Sequence, residues 1–255
     1  MQTIFIHGFS GGGGRPLTPF ARDLGLDMST VELPDMPGFR LSDGVLDATT
    51  LEDPVAYSRL VEEKIMKLRD GEKIRLVAYS HGAIPAFLIA SRHEDIVAQL
   101  ILVAPASSVR RSVKALPHLT QWMTRVLGVE RMITLMQSRP LVDAVTMYGR
   151  KRYWTQEMFA QRLAVRREES KQYNRNMFHL MKQLVTFQTV CDDVQLEQVP
   201  LTVLCVTDDE VVGADSISWF ESHARHVDVV SSRGGHAIVT VTPEKAAKLL
   251  RPVLK

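Results

Sequence analysis

Ser80 lies in the run Ala78-Tyr79-Ser80-His81-Gly82, between an apolar segment at 74–79 and a helical pattern that starts at Ala83-Ile84. A strand, a tight turn and a helix in that order lift the central side chain above a sheet, and small flanking residues let strand and helix close up. Such a serine is a candidate nucleophile, although a turn serine beside a glycine looks the same in isolation. A hydroxyl attacks only when a base takes its proton, and the base works best when a carboxylate fixes its tautomer and stabilises its charged form. Downstream, Thr207-Asp208-Asp209-Glu210 follows an apolar segment at 201–206, and Arg233-Gly234-Gly235-His236 follows one at 227–230. His236 is the candidate base, with Asp209 or Asp208 as the candidate acid.

These residues need a scaffold that brings distant segments together. Short β-branched runs alternate with helical patterns, which predicts an α/β fold with a mostly parallel sheet of six strands at 3–7, 30–33, 74–79, 99–104, 201–206 and 227–230. The cores of the third and fourth strands are apolar enough to be buried on both faces. Asp53-Pro54 opens a helix and Asp70-Gly71 closes it. Further helices are expected at 83–91, 214–224 and 243–250, the last with Thr242 as its cap and Glu244 at the positive end of its dipole. Ser80, the acidic run and His236 then each follow the C-terminal end of a parallel strand, where ligands bind in open α/β sheets. From 107 to 190 the strand pattern stops, and apolar residues recur at helical spacing in Leu119-Trp122-Met123-Val126-Leu127 and Met177-Leu180-Met181-Leu184-Val185. The expected organisation is a core domain of 1–106 and 191–255 carrying a helical cap at 107–190.

The chain order serine, acid, histidine is that of the α/β-hydrolases, and outside the insertion nearly the whole chain resembles that family in its capped esterase and lipase type. His7-Gly8-Phe9 resembles the oxyanion loop. Pro37-Gly38-Phe39-Arg40-Leu41-Ser42 resembles the P-G-x-G-x-S segment with Arg40 in place of the second glycine. Ala78 to Gly82 resembles the G-x-S-x-G elbow with alanine in first place, and Gly235-His236 with Pro243-Glu244 the terminal histidine loop. The resemblance implies an acid in a G-x-x-D loop after the penultimate strand. Counted from Pro200 this is Asp209, with Val206 where the glycine usually stands, and Asp208 remains the alternative. It also implies an oxyanion hole made by the backbone N–H groups of Phe9 and His81 and a cap that roofs the nucleophile. The chain departs from the family in that His7 already ends its first strand, so the two strands that many members carry before the H-G-x loop are not expected and the sheet should be small. The reaction implied is hydrolysis of a carboxylic ester or thioester through an acyl-enzyme on Ser80. A carbon–carbon hydrolase or lyase could use the same triad, and a ligand-binding receptor could keep it with little turnover. Epoxide hydrolases and haloalkane dehalogenases of this fold carry an Asp at the elbow, so Ser80 argues against them.

Composition narrows the classes further. With 255 residues, 45% hydrophobic and 24% charged side chains and a net charge of +2, the chain sits near the globular average, which excludes disorder, collagen and coiled coil. Apolar runs such as 100–106 fall far short of the roughly 20 residues that cross a bilayer. Met1 leads straight into Thr3-Ile4-Phe5-Ile6 without a secretory pattern, so a cytoplasmic location is expected. Cys191 and Cys205 cannot build a disulfide framework, and Cys205, inside an apolar run, is expected to be a buried thiol.

Charge is unevenly placed: 107–190 holds 15 of the 31 Lys and Arg but only 5 of the 29 Asp and Glu, a balance of +10 against −8 elsewhere. Arg110-Arg111, Arg150-Lys151-Arg152 and Arg166-Arg167 form clusters that Glu168 and Glu169 offset only in part. A cap of that sign attracts anions, which points to an anionic or carrier-bound substrate, such as a carboxylated ester, a coenzyme A thioester or an acyl carrier protein. No nucleic-acid motif accompanies it. Seven of the 11 methionines also fall there: Met123, Met132, Met136, Met147, Met158, Met177 and Met181. They suit a pocket for varied apolar groups, although packing of the cap on the core is the plainer reading for each. No metal spacing occurs and no cofactor is implied. Gly11-Gly12-Gly13-Gly14-Arg15 lacks the Gly-Lys-Ser/Thr of a phosphate loop, so it reads as a glycine loop beside the oxyanion turn. Of the 8 histidines only His236 is given chemistry. His7 reads as a buried residue tying down the oxyanion turn, and the imidazoles of His81, His93, His118, His179, His223 and His226 receive no role.

Overall fold

The structure, a computed structural model, describes residues 1–9, 13–39, 43, 46–108, 126–128, 131 and 171–254, with the backbone alone for 171–175. Strands β1 (Gln2–Ile6), β2 (Val31–Glu32), β3 (Ile74–Tyr79), β4 (Val97–Val103), β5 (Leu201–Val206) and β6 (Val227–Ser232) form one sheet in the order β2-β1-β3-β4-β5-β6. Every pairing in it is parallel. The chain runs outward from β1 to β2, then crosses back to β3 and continues the other way. The reversal of direction therefore falls between β1 and β3, and such a switch point opens a crevice at the carboxyl ends of the strands.

Alternation along the strands splits the core in two. Ile4, Ile6, Leu76, Ala78, Leu100, Leu102, Leu201 and Val203 face one layer, while Phe5, Val77, Ile101, Val103, Leu204 and Val206 face the other. That is the period of two expected of strands covered on both faces. The first layer is filled by helices Pro54–Leu68, Ala83–Arg92 and Ala214–Ser222. The second is filled by Thr18–Asp23 and Pro243–Leu250. Helix Pro54–Leu68 starts where Asp53 accepts hydrogen bonds from the N–H groups of Val55 and Ala56 at 2.8 and 3.2 Å. Its buried stripe, Pro54, Tyr57, Ser58, Val61 and Ile65, has helical spacing. Around Trp219, the rings of Phe87, Phe187 and Phe220 pack with centroids 4.5–5.4 Å away, and burying each such ring contributes about 1.5–3 kcal/mol.

Several boundaries differ from the sequence-based expectation for local reasons. The second strand is short because Met28–Thr30 forms a turn in which Asp27 accepts from the Ser29 N–H. Thr242 precedes the last helix without capping it. A short helix, Ile238–Val241, runs directly into that helix, and the Thr242 hydroxyl donates back to the Ile238 carbonyl at 3.4 Å. Cys191 is the buried thiol, whereas Cys205 is half-buried because it pairs with Ser231 on the exposed edge strand β6.

Within 107–190, the described stretch includes helices Lys171–Leu180 and Gln183–Val190. Leu180, Leu184 and Phe187 join the first core layer, with Met177 packed against it. The basic clusters at 110–111, 150–152 and 166–167, Glu168, Glu169, His118, the apolar residues at 119–123 and five of the methionines, from Met123 to Met158, lie outside the described residues, as do Gly11, Gly12, Arg40, Leu41 and Ser42. Among the described residues no helix is long and apolar enough to cross a membrane.

Candidate active site

The site lies at the carboxyl end of the sheet, beginning at the β1/β3 switch point. Ser80 directly follows β3 and has φ = 55°, a left-handed conformation that costs a non-glycine residue about 1–3 kcal/mol. The surroundings hold it there. Ala106, in the loop after β4, donates its N–H to the Ser80 carbonyl at 3.1 Å. A Cβ on Gly82 would come within 2.4 Å of the Ile6 carbonyl, and one on Gly8 within 2.7 Å of the Ser80 Cβ, so both positions need glycine for close approach. The loop after β1 is thereby pressed against the turn after β3.

Two loops from the other side of the sheet meet Ser80. His236 Nε2 lies 2.8 Å from Ser80 Oγ, and His236 Nδ1 lies 2.8 Å from Asp209 Oδ2. An ionised carboxylate can only accept, so the proton sits on Nδ1 and Nε2 accepts the serine hydroxyl. Asp209 is 3% exposed, and its other oxygen accepts from the N–H groups of Val211 and Val212, both at 2.8 Å. The neighbouring carboxylates have separate partners. Asp208 accepts from the N–H groups of Gly234 and Gly235 at 2.8 and 3.2 Å, and Glu210 accepts from the N–H of His236 at 3.0 Å. Partial burial works against the Asp208 charge, but the two N–H groups outweigh it and hold the carboxyl below its ordinary value. Of the two acids left open by the sequence, Asp209 touches the imidazole and Asp208 the loop that carries it.

Two residues in this assembly escaped sequence reasoning. Glu210 was visible only as the third member of an acidic run. Tyr79 donates its hydroxyl to the His236 carbonyl at 3.0 Å, a contact across 157 positions that no local pattern announces.

His7 and His81 build the opposite wall. The N–H of Met36 donates to His7 Nε2 at 2.9 Å, which places the ring proton on Nδ1, 2.7 Å from the Gly8 carbonyl. His7 thus ties the loop after β1 to the Pro37-Gly38-Phe39 segment, where Phe39 packs edge-on against its ring. Burial lowers the His7 pKa to about 4, and burial does the same for His81, also to about 4. Both rings are neutral near pH 7. The His81 ring stacks on Phe9 at 4.4 Å. Among the described residues, no group of His, Cys, Asp and Glu could hold a metal ion.

The sequence pattern of the Alpha/beta hydrolase family matches residues 3–249. The chain belongs to this family. Solved structures agree on the fold of this α/β hydrolase. A hydrolase from Oleispira antarctica shares 14% identity at a TM-score of 0.68, covering 100% of this chain and 89% of its own. A thermophilic esterase from Thermogutta terrifontis, solved with malate bound, shares 18% at 0.64, with 100% and 89% covered. The epoxide hydrolase CorEH shares 16% at 0.64, with 99% and 92% covered. Likeness at such identities speaks for the fold, which hosts more than one chemistry. No curated protein matches this α/β hydrolase in sequence.

Proposed function

We propose that this α/β hydrolase cleaves a carboxylic ester or thioester through an acyl-enzyme on Ser80. The observation that carries the reading is the unbroken chain from Ser80 Oγ to His236 Nε2 and from His236 Nδ1 to Asp209, each link 2.8 Å. Ser80 attacks the carbonyl carbon as its proton passes to Nε2, and Asp209 stabilises the imidazolium. The backbone N–H groups of Phe9 and His81 receive the oxyanion, supported by the positive end of helix Ala83–Arg92. His236 then protonates the departing alcohol or thiol. Water attacks the acyl-enzyme with His236 as base, releasing the acid and restoring Ser80. No metal or organic cofactor takes part.

The +10 balance of 107–190 supports an anionic or carrier-bound substrate. Anionic esters should show a higher kcat/KM than neutral esters of equal chain length, with the advantage shrinking as salt rises; equal values and equal salt dependence would remove this part of the reading. The chemistry itself is tested by intact-mass labelling with a fluorophosphonate. Wild type should gain one adduct, whereas Ser80→Ala and His236→Ala should gain none. A folded wild type that stays unlabelled and hydrolyses no ester or thioester would overturn the proposal.

A further inference from the structure

We propose that Gln183 is a positioning residue for the oxyanion donors, acting through the imidazole of His81; this rests on the serine-hydrolase reading above. Gln183 opens the helix Gln183–Val190 and is fully buried, as is His81. Its Nε2 donates to the Leu51 carbonyl at 2.6 Å. A carbonyl can only accept, so that bond fixes the amide with Oε1 turned to His81 Nε2, 3.0 Å away. The proton of the neutral His81 ring therefore sits on Nε2 and donates to Gln183. The ring plane is set by this bond on one edge and by stacking on Phe9, with centroids 4.4 Å apart and planes within 20°, on one face. Tyr57 closes in beside it at 6.0 Å, with its own hydroxyl bonded to the Pro37 carbonyl.

The two residues whose N–H groups are assigned to the oxyanion thus have their side chains stacked on each other, and the stack is oriented by a single amide. Apolar packing alone would bury the same area but leave the ring free to slide and turn, because dispersion contacts are not directional. The hydrogen-bonded amide adds direction. Gln183 also belongs to an arm tied down at either side of it. His179 and Lys182 bond to Glu52, and Gln188 donates to Ser107 at 2.8 Å. A displacement of that arm is felt at His81 through the amide.

The test is Gln183→Leu, nearly the same size and without either hydrogen bond, assayed on a chromogenic ester well below its thermal midpoint. We expect kcat and the fluorophosphonate inactivation rate to fall about tenfold to a hundredfold, with KM within twofold, since small misplacements of groups that act in the transition state have effects of that order. The double variant His81→Phe/Gln183→Leu keeps the stack apolar and removes the His81 N–H that the single variant leaves without its acceptor, while the Leu51 carbonyl loses the Gln183 donor in both. It should recover part of the thermal midpoint lost in the single variant while kcat stays low, and it carries the test where the single variant does not fold. A wild-type kcat in either variant, or a rise in KM alone, overturns the positioning role. A wild type that neither labels nor turns over fails the hydrolase reading instead.

Discussion

On the β1/β3 side of the site, His7 and His81 are buried, neutral and bonded to backbone and amide groups, with Phe9 and Phe39 packed around them. On the β5/β6 side, His236 is held by charge: the consecutive carboxylates Asp208, Asp209 and Glu210 accept from the consecutive residues Gly234, Gly235 and His236. The contrast follows from the proposed work of each side. A base that must carry a positive charge needs a fixed negative partner, whereas backbone donors need only to stay in place, and neutral packing does that without adding a charge near the reacting carbonyl. If the contrast is right, the largest losses of turnover should come from the charged side, and sensitivity of stability to acid should come from the neutral side, beside the smaller loss of turnover expected of Gln183→Leu.

The sharpest break is removal of the nucleophile or base. Ser80→Ala and His236→Ala should each lower kcat on the order of a million-fold, the scale at which members of such a unit fail. Circular dichroism and thermal midpoint should barely move, because neither side chain fills the core. Residual activity within a hundredfold of wild type would mean that another group does the chemistry. Next comes Asp209→Asn, which keeps the shape but loses the charge that fixes the histidine tautomer. A loss of about ten-thousandfold in kcat is expected, and an effect below tenfold would return the acid to Asp208.

The neutral side is broken by acid. His7 and His81 have folded pKa values of about 4 against 6.5 for a free imidazole. Each folded-state value is depressed, so the stability that depends on it is present above pH 6.5 and lost as pH falls toward 4, where the unfolded chain binds protons that the folded one refuses. Each histidine should remove about 3 kcal/mol by pH 4. Urea unfolding between pH 7 and 4.5 would show it, and His81→Phe/Gln183→Leu should flatten the slope by one histidine's share. An unchanged slope would place the acid sensitivity elsewhere.

The same contrast governs what could be read from the sequence. The six strands were legible because their alternation and apolar runs are local, and Ser80 and His236 because each closes a short turn motif directly after a strand. Asp208 and Asp209 could not be told apart, since adjacent turn residues point in different directions and the deciding contact, to His236 Nδ1, spans 27 positions. The neutral wall was legible only in part. His7 announced itself beside Gly8, but Gln183 reaches His81 across 102 positions, and a lone glutamine in a helical pattern carries no local signal. The same reach hid Tyr79, whose position in the elbow was plain and whose bond to the His236 carbonyl was not.

The smallest expected effects separate holding a loop from sharing in the chemistry. Asp208→Asn keeps one carbonyl-type oxygen facing the N–H groups of Gly234 and Gly235 but removes the charge, and charge-assisted bonds are about twice as strong as neutral ones. Gly234 and Gly235 have φ of 151° and 70°, and glycine enters and leaves such conformations freely, so a weaker grip widens the range of positions His236 occupies. A loss of about tenfold in kcat is expected, with KM unchanged. Glu210→Gln should cost still less, about twofold to threefold, because it keeps an acceptor for a single backbone N–H. The pair therefore ranks the three carboxylates as Asp209 far above Asp208, and Asp208 above Glu210. If Asp208→Asn equalled Asp209→Asn, the loop and the imidazole would be one cooperative unit, and dividing the three acids into one chemical and two supporting members would be wrong.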